Sequence, residues 1–485
     1  MLLHVVAPYV LNAGKKHPPF FSATALAGQA STGDYMFIKT HPVFRITRLD
    51  VLVFLIFLTC YNLKMKVQSI AIKVIPDSRG EKTLQCRMTA ENKNGIFEAE
   101  SAVPSGKSKG THEAFVLDPE HAVHKFEEIR HEISVKDFNS QEEFDNFLLS
   151  LDGTENKSNL GGNLILALSL AFARSKAKEE KKELFEYIKS ISRLTGSPTR
   201  QLANFPYPIF NVINGGAHSK NKLEFQEFQI IPVVSDFGMA FSLGKIFYRK
   251  LGDILEEKFG KENISLGDEA GYSAPFASNE EAINILDKLI KEKNYPIRIG
   301  LDCAATHFYN GGKYIVGGKN YSAEELENYY LGLIEKYNIL SIEDPFAEEE
   351  FDSFAGFNAD LSKPNFRNLQ NSNERLVITD DLTTTNPKRL KTAIDKKSGN
   401  AILVKLNQIG TVTETLEVAR IAFENNWKTV VSHRSGETLD NFIADLAVGI
   451  NAWGIKSGAP AKPERLAKYD RLQEIYDNLS KLRLK

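Results

Sequence analysis

The sequence predicts an α/β protein, a (β/α)-barrel preceded by a smaller α+β domain. Two observations carry this reading. From about Asn204 onward, short apolar runs alternate with amphipathic helical stretches, and run after run closes on a charged or ionisable residue. Upstream, strand-like alternation over 67–103 gives way to a helical period over 119–195. Strands followed by a block of helices indicate an α+β unit, whereas strand–helix alternation indicates a parallel sheet.

In chain order, residues 1–64 come first and do not match the rest. They hold turn formers and scattered aromatics with no sustained period. Their apolar run, Val51 to Leu58, is far shorter than the roughly 20 residues that span a bilayer. Arg45 and Arg48 precede that run, but no small-residue cleavage pattern follows it closely, so a secretory leader is not favoured. We expect 1–64 to be a disordered extension or a wrongly assigned start, with Met65 opening the first domain. That domain, 65–200, begins with two or three antiparallel strands broken at Asp77-Ser78-Arg79-Gly80 and at Asn94-Gly95. Helical runs such as LILALSLAFARSKAKEEKKELFEYIKSI complete it.

The second domain, 201–485, carries the repeated pattern. IRIGLD ends in Asp302, ILSIE in Glu343, RLVITD in Asp380, AILVK in Lys405, KTVVSH in His433 and INAWGIK in Lys456. One charged residue at the end of a strand marks only where the strand surfaces. A series of them is the pattern of a barrel whose site collects at the C-terminal ends of its strands.

Composition narrows the function. The 485-residue chain has a formal net charge of −2, so no global basic field argues for nucleic acid or a membrane surface. Three scattered cysteines, Cys60, Cys86 and Cys303, have neither zinc spacing nor the look of a disulfide framework, which fits a reducing, cytoplasmic compartment. The strand-end residues are also chemically matched. Asp302, Glu343 and Asp380 would form an all-oxygen trio suited to a hard divalent cation, Mg²⁺ above all. Lys405 and Lys456, close to each other and to such a cation, would be pushed toward deprotonation and so toward use as a general base. His433-Arg434-Ser435 is a donor cluster suited to phosphate. Either Glu227 or Glu269 could be a general acid if the site raises its pKa. Together these groups point to proton abstraction beside a carboxylate, with metal charge stabilising the developing enediolate. A lysine base paired with Mg²⁺ is itself a pattern known from the enolase superfamily.

The motifs resemble that one family closely. They run from DSRG at 77–80 and VPSGKSKGTHEA at 103–114 through LDGTENKSNLGGN at 151–163, FNVINGGAH at 210–218 and QEF at 226–228. GDEAG at 267–271, IGLDCAA at 299–305, SIEDPF at 341–346 and DDLTTTNPKRL at 380–390 follow. VKLNQIGTVTET at 404–415, VSHRSGETLDNFIADLAVG at 431–449 and IKSGAPAKPERLAKYDRL at 455–472 complete a collinear series from about Val67 to the C-terminus. The resemblance implies an enolase: an eight-stranded barrel with one antiparallel strand under an α+β cap, converting 2-phosphoglycerate to phosphoenolpyruvate as a homodimer or octamer. It implies that Asp302, Glu343 and Asp380 hold one Mg²⁺, with Ser108 contributing to a second that arrives with substrate. Lys405 resembles the base at C2 and Glu269 the acid for the C3 hydroxyl. Gln226 and Glu227 would flank that acid, and His218 would close over the ligand. Glu343, Asp380 and His433 would also border the substrate. Arg434 and Ser435 would grip the phosphate, and Lys456 would hold the carboxylate and shift Lys405. A secondary role, surface display with capture of host proteins through the basic end Lys481, Arg483 and Lys485, is the alternative.

Six positions depart from the family pattern. Glu81-Lys82 replaces Asn-Pro after the first turn, which we expect to affect only a hairpin. Lys107 and Lys109 replace small residues and make their loop basic. Ala270 replaces Gly after the acid, so the backbone there must tolerate a Cβ. His307 replaces Glu.

Overall fold

A computed structural model describes residues 64–107, 110–194, 205–219, 221–363, 366 and 375–483. The expectations for 1–63, for Ser108 and Lys109, for the domain boundary near 200 and for Lys485 fall outside the described residues.

The first strands are β1 (Met65–Pro76), β2 (Lys82–Asn92) and β3 (Gly95–Ala102), an antiparallel meander with β4 (Asp137–Phe138) pairing back onto β1. Alternation places Leu84, Cys86, Met88 and Ala90 on the inner face of β2. Helices α1 (Pro119–Ser134), α2 (Gln141–Asp152), α3 (Gly162–Glu179) and α4 (Leu184–Ile191) cover that face. Asp118 and Ser140 accept from backbone N–H groups in the first turns of α1 and α2 and so cap them. Helix α3 is apolar or small almost all round and is buried on every side, as such a composition requires. Phe144 of α2 stacks on its Phe172, with ring centroids 4.1 Å apart.

Eight strands then close into a barrel: β5 (Tyr207–Asn214), β6 (Glu227–Pro232), β7 (Ile297–Asp302), β8 (Ile339–Glu343), β9 (Leu376–Thr379), β10 (Ala401–Val404), β11 (Lys428–Ser432) and β12 (Gly454–Lys456). Parallel pairing of β12 with β5 completes the ring. Strand β6 runs antiparallel to both neighbours, β5 and β7. The reversal puts Glu227, the first residue of β6, opposite Asp302, the last of β7. The lower interior is filled by Ile209, Ile231, Leu340, Leu376, Ile378, Ala401, Leu403 and Val430, so the barrel is a packed core whose polar groups gather at its upper rim. No helix among the described residues is long and apolar enough to cross a membrane.

The cap is fastened to the barrel by polar contacts. Asp145 of α2 accepts from Thr413 N at 2.9 Å and Thr413 Oγ1 at 2.6 Å, at the start of α5 (Val412–Glu424). Arg174 of α3 donates to both oxygens of Asp440. The turn 77–80 does more than close a hairpin. Arg79 donates to Ser105 Oγ at 2.8 Å and to Ser435 Oγ at 3.3 Å, so the cap's first turn borders the barrel rim.

Candidate active site

The strand ends bring their side chains together. Register pairs Glu343 with Asp302 on adjacent strands, and Asp380 follows the end of β9 beside them. All three are buried. Lys456, at the end of β12, lies among them. Its Nζ is 2.8 and 2.9 Å from the two oxygens of Glu343, 3.2 Å from Asp302 Oδ2 and 3.3 Å from Glu227 Oε2. Lys405 pairs with Asp380 Oδ2, and Gln408 donates to Asp380 Oδ1 at 2.9 Å. Asp344, whose backbone is left-handed at φ 41°, accepts from the amides of Asp380 and Asp381 at 2.9 and 2.7 Å and fixes where Asp380 points.

Glu269 stands at the other side of the rim. Asn211 donates to its Oε2 at 2.7 Å. His218 Nδ1 faces Oε1 and His433 Nε2 faces Oε2, each at 3.5 Å. Gln229 donates to Glu227 Oε2 at 2.8 Å, and Gln226 donates to Asp302 Oδ2 at 3.4 Å. Arg434 forks onto Glu113 at 2.9 and 3.1 Å and also reaches Asn407 Oδ1 at 3.1 Å. Ser435 Oγ accepts from Lys107 N at 3.0 Å. A Cβ on Gly106 would collide with the Arg434 guanidinium, which explains why that loop position is glycine.

The electrostatics follow from burial and pairing. Burial, then Asp302 and Asp380, push Glu343 well above the usual carboxylate range. Burial and Glu269 do the same to Glu227. Burial also pushes Glu269 up, but His433, His218 and Arg465 outweigh it and hold that carboxyl well below the usual range. Within the hydrogen-bonded Glu227–Glu269 pair the two carboxyls are thus shifted in opposite directions. Burial pulls Lys405 down, yet the ion pair with Asp380 leaves it above the ordinary lysine value. This differs from the expected mutual depression of the two lysines. Lys456 does lower Lys405, but a directly paired carboxylate acts more strongly than an ammonium further away.

The donor set fits a divalent cation. Buried carboxylates outnumber the ammonium groups that face them, and burial together with acidic neighbours pushes Glu343 up. Among the described residues, two groups have ligand atoms close enough to share one ion: His218, Glu227 and Glu269, and Asp344, Asp380 and Asp381. Asp302, Glu343 and Asp380 are not drawn together in that way, because Lys456 and Lys405 lie between and beside them.

Of the residues expected at the site, Gln226, Glu227, Asp302, Glu343, Asp380, Lys405 and Lys456 gather around the strand-end carboxylates. His218 and His433 face Glu269, which meets Glu227, and Arg434 and Ser435 reach Glu113 and Lys107. Sequence reasoning passed over Glu113, Asn211, Gln408 and Arg465. Arg465 carried a readable signal, since Arg465, Lys468, Tyr469 and Leu472 recur at helical spacing along one face, and all four are buried. Glu113 lies in a loop, Asn211 mid-strand and Gln408 in the one-turn helix Leu406–Ile409, with no periodicity to single them out.

Two comparisons with known proteins agree with this geometry. The family description "Enolase, N-terminal domain" matches residues 67–188, and "Enolase, C-terminal TIM barrel domain" matches 203–483. Enolase of Methanocaldococcus jannaschii is 40% identical over 430 residues, covering 86% of this chain and 96% of that protein. Enolase B of Dictyostelium discoideum is 39% identical over 445 residues, with 86% and 96% covered. By domain match and by full-length similarity, the chain belongs to the enolase family, lyases with phosphopyruvate hydratase activity.

Proposed function

We propose that the chain catalyses the reversible dehydration of 2-phospho-D-glycerate to phosphoenolpyruvate, with Lys405 as base and Glu269 as acid. The observation that carries the reading is the separate pairing of the two groups. Lys405 pairs with Asp380 of the trio Asp302, Glu343 and Asp380, whereas Glu269 faces His218 and His433. A substrate between them meets a base at C2 and an acid at C3.

Asp302, Glu343 and Asp380 would hold a Mg²⁺, with Ser108 expected to serve a second, and such ions would supply positive charge that stabilises the developing enediolate. Lys456 is placed to hold the substrate carboxylate. Lys405 Nζ, in its unprotonated form, takes the C2 proton and becomes the ammonium, and the C–H electron pair moves onto C2 and the carboxylate. The pair then forms the C2–C3 double bond as the C3 hydroxyl leaves. Glu269 gives that hydroxyl its proton, so water departs. Glu227, hydrogen-bonded to Glu269, is the reserve from which that proton comes. Arg434 and Ser435 grip the phosphate, His433 lies beside the acid, and Gln226 borders the Asp302 carboxylate. His218 closes the site from the 215–219 loop.

The same resemblance supports a glycolytic homodimer or octamer in the cytoplasm. Buried, unpaired Cys86 and Cys303 support a reducing compartment. The test is the appearance of phosphoenolpyruvate from 2-phosphoglycerate with and without Mg²⁺. Turnover only with Mg²⁺ supports the assignment, and no product under either condition removes it.

A further inference from the structure

Helix α6 (Pro463–Arg483) begins with a side chain that none of these roles uses. Arg465 is the largest side chain among those fully buried. Its guanidinium holds two other segments at once. Nη1 donates to the Arg434 carbonyl at 2.7 Å and to His433 Nδ1. Nη2 donates to the Ser435 carbonyl at 2.6 Å and to the Asp268 carbonyl at 3.1 Å.

The chemistry of this contact leaves one arrangement. A guanidinium carries donors and no acceptor, and it does not deprotonate in proteins. His433 Nδ1 must therefore offer its lone pair. The ring is neutral, and its hydrogen is on Nε2. That Nε2 is buried, has no hydrogen-bond partner among the described residues and faces Glu269 Oε2 at 3.5 Å. Burial, with the Arg465 charge adding to it, pushes the His433 pKa down to about 4, which agrees with a neutral ring. The packing leaves no slack. At Gly458, where φ is +77°, a Cβ would lie 2.7 Å from the Glu269 carbonyl, 3.0 Å from Arg465 Cδ and 3.3 Å from His433 Cε1.

We propose that Arg465 is a positioning residue that locks His433 as the neutral Nε2–H tautomer aimed at Glu269, and that the same fork ties the acid's loop to the 433–435 segment. The kinetic part rests on the reading of Glu269 as the acid. The tautomer does not, so the two can fail separately.

The experiment is long-range ¹H–¹⁵N NMR of the full chain with ¹⁵N-labelled histidine at pH 7, with His433 assigned by its loss in His433→Gln. The wild type should show a bare Nδ1 and a protonated Nε2. Arg465→Met should lose that single form. Arg465→Lys, which still only donates, should keep it. With 2-phosphoglycerate, Arg465→Met should lose kcat by roughly tenfold or more, toward the 10²–10⁴-fold that acid–base positioning contributes, with KM changed less than about threefold. Arg465→Lys should recover part of kcat. A wild-type His433 carrying Nδ1–H or both protons overturns the proposal without any variant. So does an Arg465→Met protein with unchanged tautomer, whether kcat holds or falls together with a rise in KM. A wild type with the expected spectrum and no turnover would leave the tautomer lock standing and remove the functional reading instead.

Discussion

The ammonium of Lys456 sits astride both oxygens of Glu343, at 2.8 and 2.9 Å, with Asp302 and Glu227 within 3.3 Å of the same nitrogen. One cation thus faces a cluster of buried carboxylates, and a divalent ion would offset the remaining charge. Chelation should abolish turnover and lower Tm, because an ion that binds the folded state stabilises it. Asp302→Ala should lose activity even at saturating Mg²⁺. Calorimetry with and without chelator, alongside the assay, checks both, and full activity in excess chelator would remove the metal from the mechanism.

The two halves of the reaction should separate. Lys405→Ala is expected to lose C2 hydrogen exchange and product together. Glu269→Gln keeps the base and the carboxylate trio, so it should still exchange C2 hydrogen in D₂O while turnover drops by roughly 10²-fold or more. NMR of 2-phosphoglycerate with each variant reads both. Exchange that survives in Lys405→Ala would falsify the assignment of the base.

Ala270 follows Glu269 with φ 66° and no exposed surface, and its carbonyl accepts from Tyr248 Oη at 2.6 Å. Left-handed backbone costs a residue with a Cβ roughly 1–2 kcal/mol, while glycine gives back about 0.4–1 kcal/mol through the unfolded chain. Ala270→Gly should therefore be neutral or stabilising by up to about 1 kcal/mol. Ala270→Val, β-branched in the same conformation, should cost roughly 2 kcal/mol or more. Urea unfolding of the pair decides it, and a harmless valine would show that the turn is not held as described.

Asp145 is fully buried between cap and barrel, and burial raises its pKa from 3.8 to about 6 despite its hydrogen bonds to Thr413, Ser169 and Gln141. The folded state then holds this proton more tightly than the unfolded chain does. The contribution is fully present below pH 4 and is lost as pH rises through 6, by roughly 3 kcal/mol at about 1.4 kcal/mol per pKa unit. Asp145→Asn should flatten this part of the stability profile. Parallel wild-type and variant curves between pH 4 and 6.5 would exclude the residue as a source of the slope.

Lys107 sends Nζ to the Ala217 carbonyl at 2.9 Å and to Asp268 Oδ2 at 3.4 Å. It is half exposed, so its attraction for an anionic substrate is screened within about 8–10 Å at physiological ionic strength. Lys107→Ala should flatten the rise of KM with salt. An unchanged salt response would mean that its contacts to Ala217 and Asp268 absorb its charge.

Much of the fold was legible because its signals are local. Period-2 alternation on β2 and the all-apolar face of α3 are burial patterns written in neighbouring residues. The strand-end residues Asp302, Glu343, Lys405 and Lys456 were visible for the same reason: each closes an apolar run. The antiparallel direction of β6 was different, because nothing in EFQIIP states a direction and only the family resemblance implied one. The 77–80 turn was underread, since its reach to Ser435 spans most of the chain.

The amino-acid sequence by itself determined which chemical groups stand at the barrel rim, because periodicity fixes where a strand surfaces and the residue there is read directly. Tertiary structure decided which of those groups share protons. Asp380 holds Lys405 above its ordinary value, Glu227 is pushed up while the neighbouring Glu269 is pushed down, and Arg465 meets His433 at Nδ1. The physical reason is that pairing energy depends on ångström distances and on desolvation. Both arise only when residues far apart in the chain, such as Asp302 and Lys456, are buried side by side.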